Sequence, residues 1–255
     1  MRRRQYPILE FDPALPALIE PQKELRPLDV SEHCVITFFG EVIEKLSNEG
    51  RLEELVSHRW EDKNRPLYEM RVGERRLAVM HSGVGAPLAA GLLEEVIARG
   101  CRKFIACGGC GVLDRQLAVG HLLVPVAAVR DEGTSYHYLP AGREVNAHPQ
   151  AIAAIEQVLK QQGIDYLLTK TWTTDAPYRE TPEKVKLRKK EGCLAVEMEA
   201  AAFFAVAQFR GVPFGHILYS GDDVSGSEWD GREWHDRWFI RERLFWLAAE
   251  ACLQL

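Results

Sequence analysis

The segment Val196-Glu197-Met198-Glu199-Ala200-Ala201 places two carboxylates at the start of an apolar stretch that continues to Gly211. The length and apolar character of this stretch predict a buried helix over Glu197–Arg210, with the glycine as its stop. Side chains two positions apart on a helix point about 200° away from each other, so Glu197 and Glu199 cannot share one task there. One caps the backbone N–H groups at the helix start. The other stays ionised beside the positive helix end and accepts hydrogen bonds; the pattern leaves open which is which.

Around this segment, predicted strands and helices alternate along the chain. Strands are expected at residues 34–39, 67–72, 75–82, 103–107, 121–129, 166–172 and 213–219, and further helices at 41–48, 87–99, 149–162 and 233–252. This alternation predicts an α/β fold, with a mainly parallel or mixed sheet covered by helices on both faces. We expect one domain over residues 34–255, preceded by a proline-rich, extended N-terminal arm over residues 1–33.

The composition restricts the classes of partner. The chain has 255 residues, 46% of them hydrophobic and 27% charged, and its formal net charge is -5. This charge argues against nucleic acid or an anionic membrane as the main partner. No apolar run reaches the roughly 18 residues of a spanning helix, and no apolar region of a signal peptide follows the first arginines.

The six cysteines are expected to be reduced. Cys107-Gly108-Gly109-Cys110 has the spacing of a redox or zinc pair, but it lacks the second pair or histidine cluster that would complete a zinc site. We therefore interpret it as a buried glycine turn, and we expect a cytoplasmic protein without a metal.

Candidate functional residues lie in four polar, glycine-bearing segments that follow predicted strands, where ligands gather in α/β sheets. These segments are residues 82–87, 108–111, 173–179 and 220–223. Gly83-Val84-Gly85 either presents backbone N–H groups to an anion or forms a plain tight turn. Asp222 and Asp223 are either turn-forming residues or acids whose partial desolvation lets one of them donate a proton.

In their order along the chain, these segments resemble the nucleoside phosphorylase family, which includes uridine phosphorylase and the hexameric purine nucleoside phosphorylases. The matching segments are residues 82–87, 107–111 and 131–137, Thr174-Asp175 with Tyr178, residues 196–201, and Asp222. Glu197 follows Asp175 by 22 residues and Asp222 follows Glu197 by 25, intervals that match the purine branch. The resemblance implies a three-layer α/β/α domain with a mixed, twisted, partly barrel-like sheet, which works as a homodimer or a hexamer.

The resemblance also implies the reaction, which is cleavage of the N-glycosidic bond of a nucleoside, with purines favoured, as in purine salvage. Glu199 would bind the ribose hydroxyls, Met198 would lie against the sugar, and Asp222 would protonate the base. As the bond lengthens, the sugar becomes cationic and the base anionic, so an ionised Glu199 and a proton from Asp222 would stabilise the two parts. No metal or organic cofactor is needed for these steps.

The base pocket is expected from the same resemblance. Its residues would be Glu197, Thr174, Asp175 and Tyr178. The aromatic residue usual in this pocket is replaced by Pro177, and Tyr178 would stack on the base in its place.

The nucleophile site is where the sequence departs from the family. For phosphate as co-substrate, the resemblance assigns Gly40, Gly109 and, from a neighbouring subunit, Arg59. Glu44 and Ala106 stand where the family usually carries two further arginines. Because arginine binds phosphate through its bidentate fork, these losses weaken the expected phosphate site.

This departure leaves three hypotheses for the function of the protein. The first is phosphorolysis to free base and a sugar 1-phosphate, which is favoured by the family resemblance and by the presence of Arg59. The first alternative is a hydrolytic nucleosidase in which Glu44 or Glu41 activates water, whereas both glutamates are otherwise solvated surface charges. The second alternative is a non-catalytic nucleoside-binding protein that keeps the pocket without turnover.

Overall fold

The computed structural model describes residues 3–255, and this part of the chain contains ten strands and seven α-helices. The strands are β1 (His33–Thr37), β2 (Glu53–Arg59), β3 (Asn64–Val72), β4 (Arg75–His81), β5 (Lys103–Val112), β6 (Leu122–Asp131), β7 (Glu144–Asn146), β8 (Tyr166–Thr174), β9 (Cys193–Glu197) and β10 (Phe214–Asp223). The helices are α1 (Pro21–Glu24), α2 (Gly40–Asn48), α3 (Ala86–Arg99), α4 (Pro149–Gln161), α5 (Pro182–Lys190), α6 (Ala200–Arg210) and α7 (Trp238–Leu253). Each strand and helix expected from the sequence has a counterpart, whereas β2, β7, β9 and α1, which lies in the N-terminal arm, were not predicted.

All ten strands belong to one mixed sheet with the order β10-β6-β8-β9-β5-β1-β4-β3-β2, and β7 pairs with β6. β10 also pairs with β5, in parallel, so the strands from β10 to β5 close on themselves into a barrel. The remaining strands extend from this barrel as an open sheet. The prediction of a mixed, partly barrel-like sheet is therefore confirmed.

Helices cover both faces of the sheet, and the side chains of β5 show why. Phe104 and Ala106 belong to a hydrophobic cluster with residues of α3 and α6, whereas Ile105 and Cys107 belong to a cluster with residues of α2, α4 and α7. Successive residues of a strand point to opposite faces, so an apolar strand of this kind needs helices on both. The prediction of three layers is confirmed. Within residues 3–255, no helix has the length and apolar character needed to cross a membrane.

The interpretation of residues 107–110 as a turn is wrong, because β5 continues through the glycines to Val112. A Cβ atom on Gly108 would lie 2.9 Å from the Phe38 ring, and one on Gly111 would lie 2.9 Å from the Val196 side chain. Such distances are too short for a real Cβ atom. The glycines therefore serve close approach of neighbouring side chains within a strand, which is a known use of glycine in sheets.

The prediction that Glu197 begins a helix is also wrong. Val196 pairs with Gly111 and Glu197 pairs with Thr173, so this part of the segment is the end of strand β9. Helix α6 begins only at Ala200, with Glu199 as its N-cap residue. Because neither glutamate lies within the helix, the argument from helical side-chain directions does not apply to them.

Candidate active site

A cavity of about 430 Å³ opens where β5, β9 and β10 come together near their ends. β5 contributes Gly109 and Gly111 to its wall, β9 contributes Glu197, and β10 contributes Asp222. Met198 and Glu199 line it from the connection between β9 and α6. With Val84 and Pro177 also on the wall, all four predicted polar segments and the segment 196–201 meet in one place.

Glu197 is the residue that caps α6. Its Oε2 atom accepts hydrogen bonds from the backbone N–H groups of Glu199 at 2.7 Å and Ala200 at 2.6 Å. Its Oε1 atom accepts from the hydroxyls of Thr173 at 2.6 Å and Thr171 at 3.3 Å. Burial raises the pKa of Glu197, and these hydrogen bonds oppose that rise. With four protein donors on one carboxylate, Glu197 fixes the start of α6 and the position of Glu199.

Glu199 is held by a single backbone donor from another segment. Its Oε1 atom accepts a hydrogen bond of 2.6 Å from the N–H of Gly85. Gly83 and Gly85 have φ values of 71° and 98°, a left-handed conformation that favours glycine, so this segment is a tight turn whose N–H group binds the protein's own carboxylate. Burial and the nearby charge of Glu197 raise the pKa of Glu199 to about 8. Glu199 is therefore a poorly solvated carboxyl that faces the cavity with capacity for further hydrogen bonds.

The two aspartates at the end of β10 have different environments. Asp223 is ion-paired with Arg232 at 2.5 Å and accepts a hydrogen bond of 2.7 Å from the Ser225 N–H. Burial acts to raise the pKa of Asp223, but Ser225 and Arg232 bring it below its usual value. Asp222 lines the cavity and accepts a hydrogen bond of 2.8 Å from the indole N–H of Trp229. The structure thus leaves Asp222 as the carboxyl available to a ligand.

Glu180 is a cavity residue that the sequence did not reveal. It lies between the main cavity and an adjoining cavity of about 620 Å³, and Asp222 lines both as well. Burial and the charge of Asp222 raise the pKa of Glu180 to about 7. Its position just before α5 resembles that of any acidic residue near a helix start, so only the packing of the loop identifies it.

The phosphate residues expected from the sequence do not all reach the cavity within one chain. Gly109 lines it, but a Cβ atom there would lie 3.1 Å from Cε1 of Tyr219, so the tyrosine ring occupies the space that a side chain at this position would need. Gly40 is exposed at the first turn of α2, and Arg59 is exposed at the end of β2. A contribution from Arg59 requires a neighbouring subunit.

The two candidate water-activating glutamates differ in their surroundings. Glu44 is exposed on α2, away from the cavity wall. Glu41 forms an ion pair of 2.6 Å with Arg241 of α7, and this arginine lines the cavity. The sequence did not single out Arg241, because no spacing distinguishes it from Arg243 on the same helix. Only the packing of α7 near α2 identifies it.

His216 is a third residue of the cavity wall that the sequence did not single out, and it is buried. It is 1% exposed, it stacks on Phe38 with ring centroids 6.1 Å apart, and neither ring nitrogen has a hydrogen-bond partner among the described residues. Burial lowers the pKa of His216 to about 3, so the imidazole is neutral. A histidine within the apolar run of β10 was the available signal. An unpaired buried polar group costs about 1–3 kcal/mol, which favours a ligand partner.

Three residues expected at the base lie outside the main cavity. Tyr178 is 98% exposed and lines only the adjoining cavity. Thr174 is buried, and its hydroxyl accepts a hydrogen bond of 3.2 Å from the Ala176 N–H. Asp175 accepts one of 2.7 Å from the Gly133 N–H. In this structure, Thr174 stabilises its own loop, and Asp175 connects to Gly133 at the wall of a different cavity.

A larger cavity of about 990 Å³ lies between the N-terminal residues and α3. Its most buried charges are already paired, since Arg210 contacts Glu20 at 3.0 Å and Glu94 at 2.7 Å. The smaller cavity is the better candidate, because it contains Glu199 and Asp222, whose carboxyl oxygens retain room for a ligand.

Across residues 3–255, no group of three or more histidine, cysteine, aspartate or glutamate side chains is arranged to hold a metal ion. Cys107 and Cys110 are free and buried, and burial raises the pKa of both thiols.

The three-layer α/β fold and the carboxylate-lined cavity agree with the family that the sequence motifs resemble. The sequence model of the phosphorylase superfamily matches residues 32–243. The chain therefore belongs to the phosphorylase superfamily, and the resemblance inferred from the ordered motifs is confirmed.

Individual relatives agree with this family. The chain is 32% identical to a guanosine phosphorylase of Halorubrum lacusprofundi over 157 residues, which are 60% of this chain and 64% of the relative. It is 29% identical to a purine nucleoside phosphorylase of Shewanella oneidensis over 51% of this chain and 56% of the relative. The chain thus spans less than two thirds of the length of these curated relatives.

Solved structures share the fold across nearly the whole chain. A purine nucleoside phosphorylase from Toxoplasma gondii, in complex with immucillin-H, superposes with a TM-score of 0.78 at 23% identity, covering 94% of this chain and 98% of that one. An AMP nucleosidase from Bacteroides thetaiotaomicron superposes with a TM-score of 0.71 at 23% identity, covering 89% and 90%. At this level of identity, these likenesses establish the fold.

Proposed function

We propose that this chain cleaves the N-glycosidic bond of a purine nucleoside by phosphorolysis, releasing the free base and a sugar 1-phosphate. The observation that carries the proposal is the meeting of Glu199, Met198 and Asp222 in one cavity, although they come from two separate strand ends. A reaction that separates positive charge on a sugar from negative charge on a base needs two carboxyls with separate tasks.

Glu199 acts on the sugar. Its hydrogen bond to Gly85 leaves lone pairs free, and two neighbouring ribose hydroxyls supply donors for them. Burial raises the pKa of Glu199 to about 8 and so favours its neutral form. When the nucleoside binds, the ribose hydroxyls donate hydrogen bonds to the carboxyl group and favour its ionised form. The resulting carboxylate then stabilises the positive charge that grows on the ribosyl ring.

Asp222 acts on the base. It faces the cavity while Asp223 beside it is neutralised by Arg232, so only one of the two is free to pass a proton to the departing purine. The indole N–H of Trp229 orients Asp222. Glu197 supports the site because it fixes the start of α6. The adjoining cavity beside Tyr178 provides space for the base.

The assembly we propose is a homodimer or a hexamer, in which a neighbouring subunit lends Arg59 to a phosphate bound near Gly40 and Gly109. Exposure of Arg59 at the end of β2 supports this role, since a buried side chain could not reach another subunit. We also propose a cytoplasmic location, which suits six free, buried cysteines.

Hydrolysis is the second candidate, and one specific observation favours it. The family arginine positions are occupied by Glu44 and Ala106, and the cavity is lined by carboxyls of Glu180, Glu199 and Asp222. A phosphate dianion is repelled by such a surface, whereas water is not.

Base release from inosine, guanosine, adenosine and uridine, with and without inorganic phosphate, tests the proposal. We expect phosphate-dependent release from the purine nucleosides. Equal release without phosphate would establish hydrolysis, and nucleoside binding without any release would establish the non-catalytic alternative. Asp222→Asn should lower kcat about 100-fold or more, while the exposed control Asp165→Asn should retain activity.

A further inference from the structure

The cavity contains one permanent positive charge among the described residues that line it. This charge belongs to Arg241 of α7, which lies on the wall together with Gly109, Phe39 and Tyr219. The side chain is 13% exposed, so it is packed rather than solvated. An arginine whose side chain is packed into a cavity wall is well suited to binding an anion, because little solvent screens its charge.

Three contacts fix the guanidinium of Arg241. Its Nε atom lies 2.6 Å from Oε1 of Glu41, and its Nη2 atom donates a hydrogen bond of 3.3 Å to Oε2 of the same carboxylate. Its Nη1 atom donates at 3.3 Å to the backbone carbonyl of His235. The guanidinium also lies over the Phe39 ring, 4.9 Å from the centroid. A guanidinium carries five N–H groups, so N–H groups remain for a ligand after these contacts.

The same packing connects Arg241 with the place where the family's phosphate residues are missing. The Phe39 ring under Arg241 lies 6.1 Å from the Tyr219 ring, and Tyr219 occupies the space beside Gly109. Phe39 also precedes Gly40, the glycine expected to bind phosphate. Arg241 thus shares the cavity wall with Gly109 and packs on the ring of Phe39, the residue before Gly40, although it comes from a different part of the sequence than either missing arginine.

We propose that Arg241 is the phosphate-binding cation supplied by this chain itself, replacing the arginines absent at Glu44 and Ala106. Glu41 is its positioning residue: the carboxylate holds the side edge of the guanidinium and directs the remaining N–H groups at the cavity. The proposal rests on phosphorolysis as the proposed function, and it turns Glu41 from a candidate base into a support for the anion site.

Kinetics of purified variants test this role. Arg241→Met removes the charge and the fork, so the KM for phosphate should rise about 10- to 100-fold while the KM for the nucleoside stays within about twofold. Arg241→Lys keeps the charge without the fork and should give an intermediate KM for phosphate. Arg243→Met is the matched control, because Arg243 is exposed on the same helix, and it should behave as the wild type.

Glu41→Gln separates an anion site from a purely structural ion pair. Glutamine keeps an oxygen for Nη2 but removes the negative charge that competes with phosphate, so the KM for phosphate should fall below the wild-type value. If the pair were only structural, Arg241→Met and Glu41→Gln would disturb folding in the same direction, and both substrates would be affected. An unchanged KM for phosphate in Arg241→Met overturns the proposal.

Isothermal titration with inorganic phosphate alone keeps the result independent of turnover. Binding to the wild type and Arg243→Met, with binding lost in Arg241→Met, supports the anion site even if base release is hydrolytic. In that case the proposal of phosphorolysis is contradicted, whereas the proposal of a phosphate-binding site at Arg241 is supported. Equal binding by Arg241→Met, or no binding by the wild type, overturns the proposal while leaving bond cleavage to be decided by the base-release assay.

Discussion

Replacing Glu199 by glutamine should strongly lower activity and at the same time stabilise the folded protein above mildly acidic pH. Glu199 is 5% exposed, and burial together with the charge of Glu197 raises its pKa from 4.5 to about 8. The folded protein therefore holds a proton that the unfolded chain releases. This contribution to stability is fully present below pH 4.5 and is lost as the pH rises towards 8.

The magnitude follows from the pKa. Each pKa unit corresponds to about 1.4 kcal/mol, so ionising Glu199 in the folded cavity costs on the order of 3 kcal/mol or more at pH 8 to 9. Glutamine avoids this cost and keeps an oxygen for the Gly85 N–H. For a chain of this size, the difference corresponds to a rise in Tm of about 6 to 12 °C.

The expected loss of activity is set by the sugar contacts. A carboxylate that accepts two hydroxyl hydrogen bonds contributes about 3–6 kcal/mol, so kcat/KM of Glu199→Gln should fall about 10²- to 10⁴-fold. Such opposite effects on stability and activity are typical of a residue retained for function.

The assay is scanning calorimetry of wild type and Glu199→Gln between pH 5 and 9, with Glu183→Gln, an exposed glutamate of α5, as the control. The difference in Tm between the variant and the wild type should be small at pH 5 and grow until about pH 8, and the control should show no such trend. A variant that is less stable than the wild type at every pH would refute this reasoning, because Glu199 would then be a structural anchor for Gly85.

Three further predictions follow from the same geometry. Glu180→Gln should remove a fall in kcat/KM above about pH 7, because ionisation of Glu180 places a negative charge near the departing base, which itself becomes anionic; pH–rate profiles of both proteins test this. Glu197→Ala should lower the free energy of unfolding by about 3 kcal/mol or more in urea titrations, because buried Thr173 and the first N–H groups of α6 lose their acceptor. Gly109→Ser should destabilise the protein by about 1–3 kcal/mol in the same titration without improving the KM for phosphate, because the new Cβ meets the Tyr219 ring at 3.1 Å.

Much of the fold could be predicted because its signals are local. Runs of alternating apolar strands and helices predicted the α/β class, and the helix predicted to end at residue 99 does end there, before Gly100. The short strand β9 was missed because its five residues run directly into an apolar helix, and no turn residue separates the two. β5 was ended too early because glycine usually breaks a strand, and only the closeness of Phe38 and Val196 explains why it does not do so here.

Some residues of the candidate site could likewise be predicted from the sequence, and others could not. Glu199, Met198, Asp222 and Gly109 could be named from motif order, and the structure places all four on one cavity wall. Glu180, Arg241 and His216 could not be named, because each has an unremarkable local sequence. They reach the cavity through a loop, a distant helix and the middle of a strand respectively.

The segment 196–201 shows most clearly what each level determined. The order of the motifs along the chain indicated the family, and the sequence by itself determined that two carboxylates lie at the start of a buried helix. Only the tertiary structure decided their tasks, because hydrogen-bond partners come from other strands and turns. Thr171, Thr173 and the start of α6 satisfy Glu197, whereas Glu199 receives one N–H from a distant glycine turn and keeps the rest of its hydrogen-bonding capacity for a ligand.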